Sequence, residues 1–236
     1  MKVLAIDTSN AALGVALVEG SVVKGEILTN IKKDHSTRLM PAVQLLLENC
    51  QVTPQELDLI VVAKGPGSYT GVRIGVTVAK TLAWSLNIPI VGVSSLEVLA
   101  ANGHYFNGLI CPLFDARRGQ IYTGLYRYHG NQLECVESDR IVLSSGWAQW
   151  LREKQEPVLF LGGDVALHQD ILTGVLGSLA VFGPPALQLP RPSELAFLGM
   201  NRTSEDVHSF VPNYVRLAEA EVNWLARQKE QESHGN

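Results

Sequence analysis

The opening segment KVLAIDTSNAALGVALV can be laid over LICPLFDARRGQIYTGLY in the second half, with Asp115 on Asp7, Ile121 on Leu13 and Leu125 on Leu17. Internal repetition on this scale constrains the fold more than any single motif, because both copies must bury their faces in the same way. KVLAID reads as a buried strand ending in an aspartate, LGVALV as a second strand, and Gly20 as the turn into a third, VVKGEIL. From about Ser36 the period changes: Leu39, Val43, Leu46 and Leu47 recur at helical spacing, with Pro41 predicting a late start or a kink. TPQELD reads as a short capped helix, with Thr53 and Glu56 in capping-box spacing. LIVVA is a strand, and a helix from about Thr70 to Leu86 ends at Asn87 and Pro89. IVGV is a strand and SSLEVLAA a helix capped by Ser94 with Glu97.

The second half follows the same order: a turn at HGN, the strand LECVESDRIVL, a helix near SGWAQWLREK, the strand VLFLG, a helix near ALHQDIL, the strand AVF and a helix at SELAFLGMN. Each half therefore reads βββαβαβα. Met twice in tandem, with an aspartate closing each first strand, that order predicts the two-lobed α/β architecture of actin, hexokinase and Hsp70 (the ASKHA fold). A boundary between 102 and 108, where Gly103 and Asn107 loosen the chain, divides an N-terminal lobe (1–104) from a C-terminal lobe (105–211). Residues 212–236 lie outside the repeat, and their Glu-, Gln- and Lys-rich end reads as a frayed tail.

At 236 residues and a net charge of −4, with Lys and Arg scattered, the chain presents no basic field, so any polyanion must be held by something else. Cys50, Cys111 and Cys135 are too few and too dispersed for a disulfide framework or a metal knuckle. Asp7 interrupts any leader-like apolar region, and no run reaches the roughly 18 to 20 apolar residues of a membrane span, so a cytoplasmic protein without membrane contact is expected.

Between the strand LIVVA and the next helix stands AKGPGSYTGVRIG. It is not a P-loop, because Val72 and Arg73 follow Gly71 where Lys and Ser or Thr are required. It also lacks the context of a dinucleotide fingerprint. Gly65 and Gly67 are expected to take positive φ around Pro66 and turn the chain sharply, with Ser68 or Thr70 capping the helix. An anion at that helix end remains an alternative. On the helix, Gly71, Gly75, Ala79 and Ala83 recur every four residues and form a smooth ridge for close approach. Val72, Ile74, Val76, Val78 and Leu82 occupy its other faces, and Arg73 and Lys80 are its only charges. Such a helix is covered by its own domain or by a partner; the pattern alone leaves both open.

In a two-lobed fold of this class, nucleotide binds at the turns after each first strand. Here those turns are Asp7, Thr8, Ser9 and Asp115, Ala116, Arg117, neither with the glycine that close phosphate approach favours. A degenerate cleft is expected, with Arg117 and Arg118 either meeting an acidic group or simply solvated. The six histidines form no i, i+3 or i, i+4 pair, and no G-x-S-x-G elbow is present, so neither a catalytic metal nor a nucleophile is expected, nor any cofactor.

AIDTS, GPGSYTGVRIG, DARRGQIY and PNYVR, in that order along nearly the whole chain, resemble the TsaB (YeaZ) family of the bacterial tRNA threonylcarbamoyladenosine pathway. The resemblance implies a noncatalytic paralogue of the catalytic subunit TsaD, whose relatives carry a metal-binding N-H-L-x-x-H stretch. The corresponding VSSLEVL puts Ser95 and Leu99 where the histidines would stand, which implies a retained fold without that chemistry, and so without the protease activity of an older family label. It further implies that TsaD transfers the threonylcarbamoyl group from threonylcarbamoyl-AMP to the adenosine beside the anticodon of tRNAs reading ANN codons. The ATPase TsaE would join the assembly, tRNA would be met only through the complex, and the chain alone would form a homodimer.

The family's partner surface implies the segments Ser36 to Asn49 and Thr70 to Leu86, with Gly71, Arg73, Gly75, Val76, Ala79, Lys80 and Ala83 at the interface and Gly65, Pro66 and Gly67 shaping the loop before it. A Gly75→Trp substitution should then block association and leave the monomer folded. The alternative reading is an independent ASKHA-type small-molecule kinase or ATPase, which Mg-ATP binding and turnover by the isolated chain would mark.

Overall fold

The computed structural model describes residues 1–31 and 34–215; the expected frayed end lies outside the described residues. The first sheet contains β1 (Lys2–Asp7), β2 (Ala12–Glu19), β3 (Val22–Asn30), β4 (Leu59–Ala63) and β5 (Ile90–Val93) in the order β3-β2-β1-β4-β5. β1, β2 and β3 pair antiparallel, and β4 and β5 continue parallel to β1. β6 (Leu109–Asp115), β7 (Gln120–His129), β8 (Gln132–Leu143), β9 (Val158–Leu161) and β10 (Ala180–Phe182) repeat that topology as β10-β9-β6-β7-β8. Gly20 and Gly130 take φ of +60° and +59° in the two matching hairpin turns.

The register of the repeat differs from the sequence alignment in one strand. Leu13 and Leu17, like Ile121 and Leu125, all point beneath their lobe's helix pair, so the second strands superpose as aligned. Asp7, however, pairs with Gly14 and shares the face of Val3 and Ala5, whereas Asp115 pairs with Ile121 and shares the face of Leu113. The two aspartates therefore point to opposite faces and are not structural equivalents. With a side-chain period of two, one residue's difference in hairpin register inverts the strand. The β6–β7 turn absorbs that residue with Arg117, Arg118 and Gly119 all at positive φ (66°, 55° and 72°).

Two helices cover one face of the first sheet: α1 (His35–Asn49) and α2 (Tyr69–Leu86). α1 begins ahead of Pro41 and runs through it, so the late start does not occur; its stripe of Leu39, Val43, Leu46 and Leu47 packs on Leu4, Ile6 and Val15. On α2, Ser68 is the cap, its Oγ accepting from the Gly71 N–H at 3.3 Å, and Asn87 closes the helix in the left-handed region. α4 (Ser144–Arg152) and α5 (Gln169–Leu176) cover the corresponding face of the second sheet through Trp147, Leu151 and Leu172.

The remaining helices are exchanged. α3 (Ser95–Ala101) ends the first half, yet Leu96, Leu99 and Ala100 pack on Ile110, Phe114 and Tyr126 of the second sheet. α6 (Pro192–Met200) ends the second half, and Leu195 and Ala196 pack on Val3, Ala5 and Val61 of the first. A cut near residue 104 would separate the sheets but strip each of one covering helix. After α6 the chain returns to the first lobe: Glu205 bridges to Ile90, its carboxylate accepts from Lys64 Nζ at 2.9 Å, and Phe210 is buried in the first core.

Candidate partner surface and interlobe cleft

The glycine loop is a wedge between three other segments. The Gly65–Pro66 bond is cis, and Gly65 and Gly67 have φ of 105° and 159°. A Cβ on Gly65 would lie 2.5 Å from the Asn213 carbonyl oxygen, and one on Gly67 2.1 Å from that of Ser9. The Ser68 N–H donates to the Ser9 carbonyl at 2.7 Å, and Ser95 Oγ accepts from the Gly65 N–H at 3.1 Å. Only glycine permits both approaches, which ties the β1–β2 turn, α3 and Asn213 to one loop.

The small-residue ridge continues this close packing and faces inward. A Cβ on Gly71 would stand 2.2 Å from the Thr8 carbonyl oxygen, and one on Gly75 2.5 Å from Thr8 Oγ1, which donates to the Gly71 carbonyl at 2.7 Å. Ala79, Ala83 and Val76 are buried in the same core. Gly71, Gly75, Val76, Ala79 and Ala83 thus serve the approach of α2 to its own sheet. The expectation that the ridge is open to a companion is corrected: a tryptophan at Gly75 would break the lobe before it could block a partner. Of the residues expected at an interface, Arg73 is exposed and Lys80 half-buried.

What α2 leaves outside is a different stripe: Trp84 is 65% exposed and Tyr69 43%. On neighbouring α1, Leu45 and Met40 are 51% and 44% exposed. Ile74, Val78 and Leu82 are partly buried in the core cluster that α1 and α2 share. Both helices of this face thus carry large apolar side chains that their own lobe does not cover. Sequence reasoning followed the small residues and passed over Met40, Leu45 and Trp84; the signal was their position off the buried stripe of each helix.

Along α2 the returning chain 207–214 forms the other wall of a 650 Å³ groove. Lys80 Nζ holds that wall by donating to the His208 and Phe210 carbonyls at 2.9 and 3.1 Å. Tyr69 and Tyr214 stack with centroids 4.7 Å apart.

The second hollow, 590 Å³, lies between the lobes and is lined by Asn10, Ser68, Asp115, Arg117, Arg118 and Asp164. Asp7 is buried and does not line it; its Oδ1 accepts from the Ser9 N–H at 2.8 Å and its Oδ2 has no partner, and burial pushes its carboxyl above the usual range. Asp115 is already engaged. His168 Nε2 meets its Oδ1 at 3.1 Å, its Oδ2 accepts from the Arg117 N–H at 3.2 Å, and its own N–H donates to Asp164. His168, buried under the second turn, is a contact that no sequence spacing indicated.

Ser95 and Leu99 are wholly buried, the first bonded to the glycine loop and the second packed on the second sheet, so both positions are taken up by structure. Among the described residues no three His, Cys, Asp or Glu side chains gather in a way that could hold a metal ion. Cys111 is buried, its thiol pushed up to about 11 by burial, and Cys50 and Cys135 are likewise unbridged.

Two lobes on one sheet topology, joined by exchanged helices and facing each other across paired hairpin turns, define a two-lobed α/β protein of the actin and hexokinase class. The family model described as tRNA N6-adenosine threonylcarbamoyltransferase, TsaD, matches residues 25–224. The tRNA threonylcarbamoyladenosine biosynthesis protein TsaB of Bacillus subtilis is 59% identical over 229 residues, covering 97% of this chain and 100% of that protein. The chain belongs to the TsaB family. TsaB of Escherichia coli is 31% identical, over 71% of this chain and 81% of its own. Among solved structures, YeaZ from Pseudomonas aeruginosa superposes with a TM-score of 0.75 at 24% identity, covering 90% of this chain and 99% of that one. No described helix is long and apolar enough to cross a membrane.

Proposed function

We propose that this chain is a noncatalytic structural subunit of the assembly that places threonylcarbamoyl on tRNA adenosine. A TsaD-type subunit performs the transfer from threonylcarbamoyl-AMP to the adenosine beside the anticodon of tRNAs reading ANN codons, and a TsaE-type ATPase joins it. Here the N-terminal lobe (1–104) offers the partner surface, the C-terminal lobe (105–211) buttresses it, and tRNA is met through the partners. Without a partner, the same surface pairs two copies of the chain in the cytoplasm.

The observation that carries this reading is the large apolar side chains left exposed on α1 and α2, Met40 and Leu45 on the first and Tyr69 and Trp84 on the second, with the cations Arg73 and Lys80 on the same flank of α2 as Trp84. An interface core needs such apolar and aromatic anchors. The engagement of Asp115 by His168, and the structural use of Ser95 and Leu99, support a role other than chemistry. Reconstitution tests it: TsaD-type and TsaE-type subunits, tRNA and threonylcarbamoyl-AMP should give modified tRNA only when this chain is added. Equal modification in its absence would overturn the proposal.

A further inference from the structure

The groove along α2 combines apolar and aromatic side chains with two cations. Its floor is Val76, Val207 and Phe210, and its walls are Trp84 and the stacked Tyr69–Tyr214 pair. Arg73 and Lys80 supply its charge, and no Asp or Glu is among the described residues that line it. The carboxylates of the returning chain are turned elsewhere, Asp206 to the Ser209 N–H and hydroxyl, Glu205 to Lys64 and the Gly92 N–H. On a protein with a net charge of −4, this acid-free cationic hollow is a local reversal of sign.

The groove is also preformed. Lys80 fixes the wall through two main-chain carbonyls, while Phe210 anchors the same wall in the first core. Arg73 and Lys80 are two helical turns apart, about 10 Å along the axis, and the apolar floor lies between them. A wall in place before binding spares the cost of ordering it.

We infer that this groove receives an acidic segment of the catalytic partner subunit, with carboxylates set about 10 Å apart to meet Arg73 and Lys80 and a bulky apolar side chain between them that fills the hollow. The inference rests on the scaffold reading above and adds the chemistry of what α2 recognises. Electrostatic complementarity of this kind selects the partner and sets its register, while the aromatic walls supply the buried contact.

The test uses the full chain and the purified TsaD-type subunit from the same organism, with binding measured by calorimetry. Arg73→Glu and Trp84→Ala lie on the surface and should leave the fold intact by circular dichroism. Each should weaken binding about tenfold or more, Arg73→Lys should retain most of it, and higher salt should narrow the gap between wild type and Arg73→Glu. Leu45→Asp on α1 separates the two levels of argument. If it abolishes binding while Arg73→Glu and Trp84→Ala leave it unchanged, the groove inference falls and the scaffold reading stands. If all three leave binding unchanged, both fall. If the groove variants reduce crosslinking to tRNA and leave subunit binding untouched, the occupant is nucleic acid and the inference is overturned.

Discussion

Replacing Gly71 or Gly75 by alanine distinguishes a sealed ridge from an open one. In an open helix interior, Gly→Ala stabilises by about 1 kcal/mol through backbone propensity. Here the new methyl at Gly75 would stand 2.5 Å from Thr8 Oγ1, displacing a hydroxyl that donates to the Gly71 carbonyl. A buried hydrogen bond lost in this way costs about 1–3 kcal/mol, and overpacking a further 1–3 kcal/mol. Set against the propensity gain, Gly75→Ala should destabilise by about 1–5 kcal/mol. Gly71→Ala should cost more, because its methyl would meet the Thr8 backbone oxygen at 2.2 Å, and a main-chain oxygen cannot rotate aside. Urea unfolding of the two variants, each also in a Thr8→Ala background, gives the assay. Removing Oγ1 should relieve Gly75→Ala and leave Gly71→Ala unrelieved, so only the first pair should show a favourable coupling energy. Stabilisation by either single alanine would refute the inward packing of the ridge.

Three other outcomes follow from the geometry. Phe210→Ala should cost about 3–5 kcal/mol in urea unfolding, since the ring is a core side chain that fastens the returning chain; a cost under about 1 kcal/mol would mean that this chain is not anchored there. Burial raises the Asp7 carboxyl above its unfolded value of 3.8, so ionised Asp7 opposes folding once pH exceeds its folded pKa, and the favourable contribution of the protonated form is complete only below the unfolded value. Asp7→Asn should therefore be more stable than wild type at pH 7, with the advantage shrinking as pH falls toward 4, and a less stable variant at pH 7 would contradict the sign. Native alkylation followed by mass spectrometry should mark exposed Cys135 well before buried Cys111, whose thiol is held near 11; comparable early labelling would show that the second core opens.

Much of the architecture was legible because strands and helices announce themselves locally. The apolar runs KVLAID, LIVVA and VLFLG, the stripe from Leu39 to Leu47 and the turns at Gly20 and Gly130 each depend on a few neighbouring residues, and their repeated order marks the two-lobed class. The Ser68 cap and the glycine wedge could likewise be anticipated from residue types. The candidate site was legible only in part: the helices that carry it were marked, but not the faces they show. A ridge of Gly71, Gly75, Ala79 and Ala83 permits close approach to a sheet as well as to another helix, and the sequence does not state which surface arrives; Thr8 decides it.

The alignment of Asp7 with Asp115 failed for a related reason. Residue identity cannot reveal that three successive left-handed residues shift a hairpin by one and turn the second aspartate to the opposite face. The exchange of α3 and α6 between sheets, the return of Phe210 to the first core and the meeting of His168 with Asp115 are contacts between distant segments. Periodicity reports which residues in a short window share a face. What that face meets is settled by long-range packing, in which every buried surface must find a complement, and so the sequence by itself determined the elements while only the tertiary structure decided their partners.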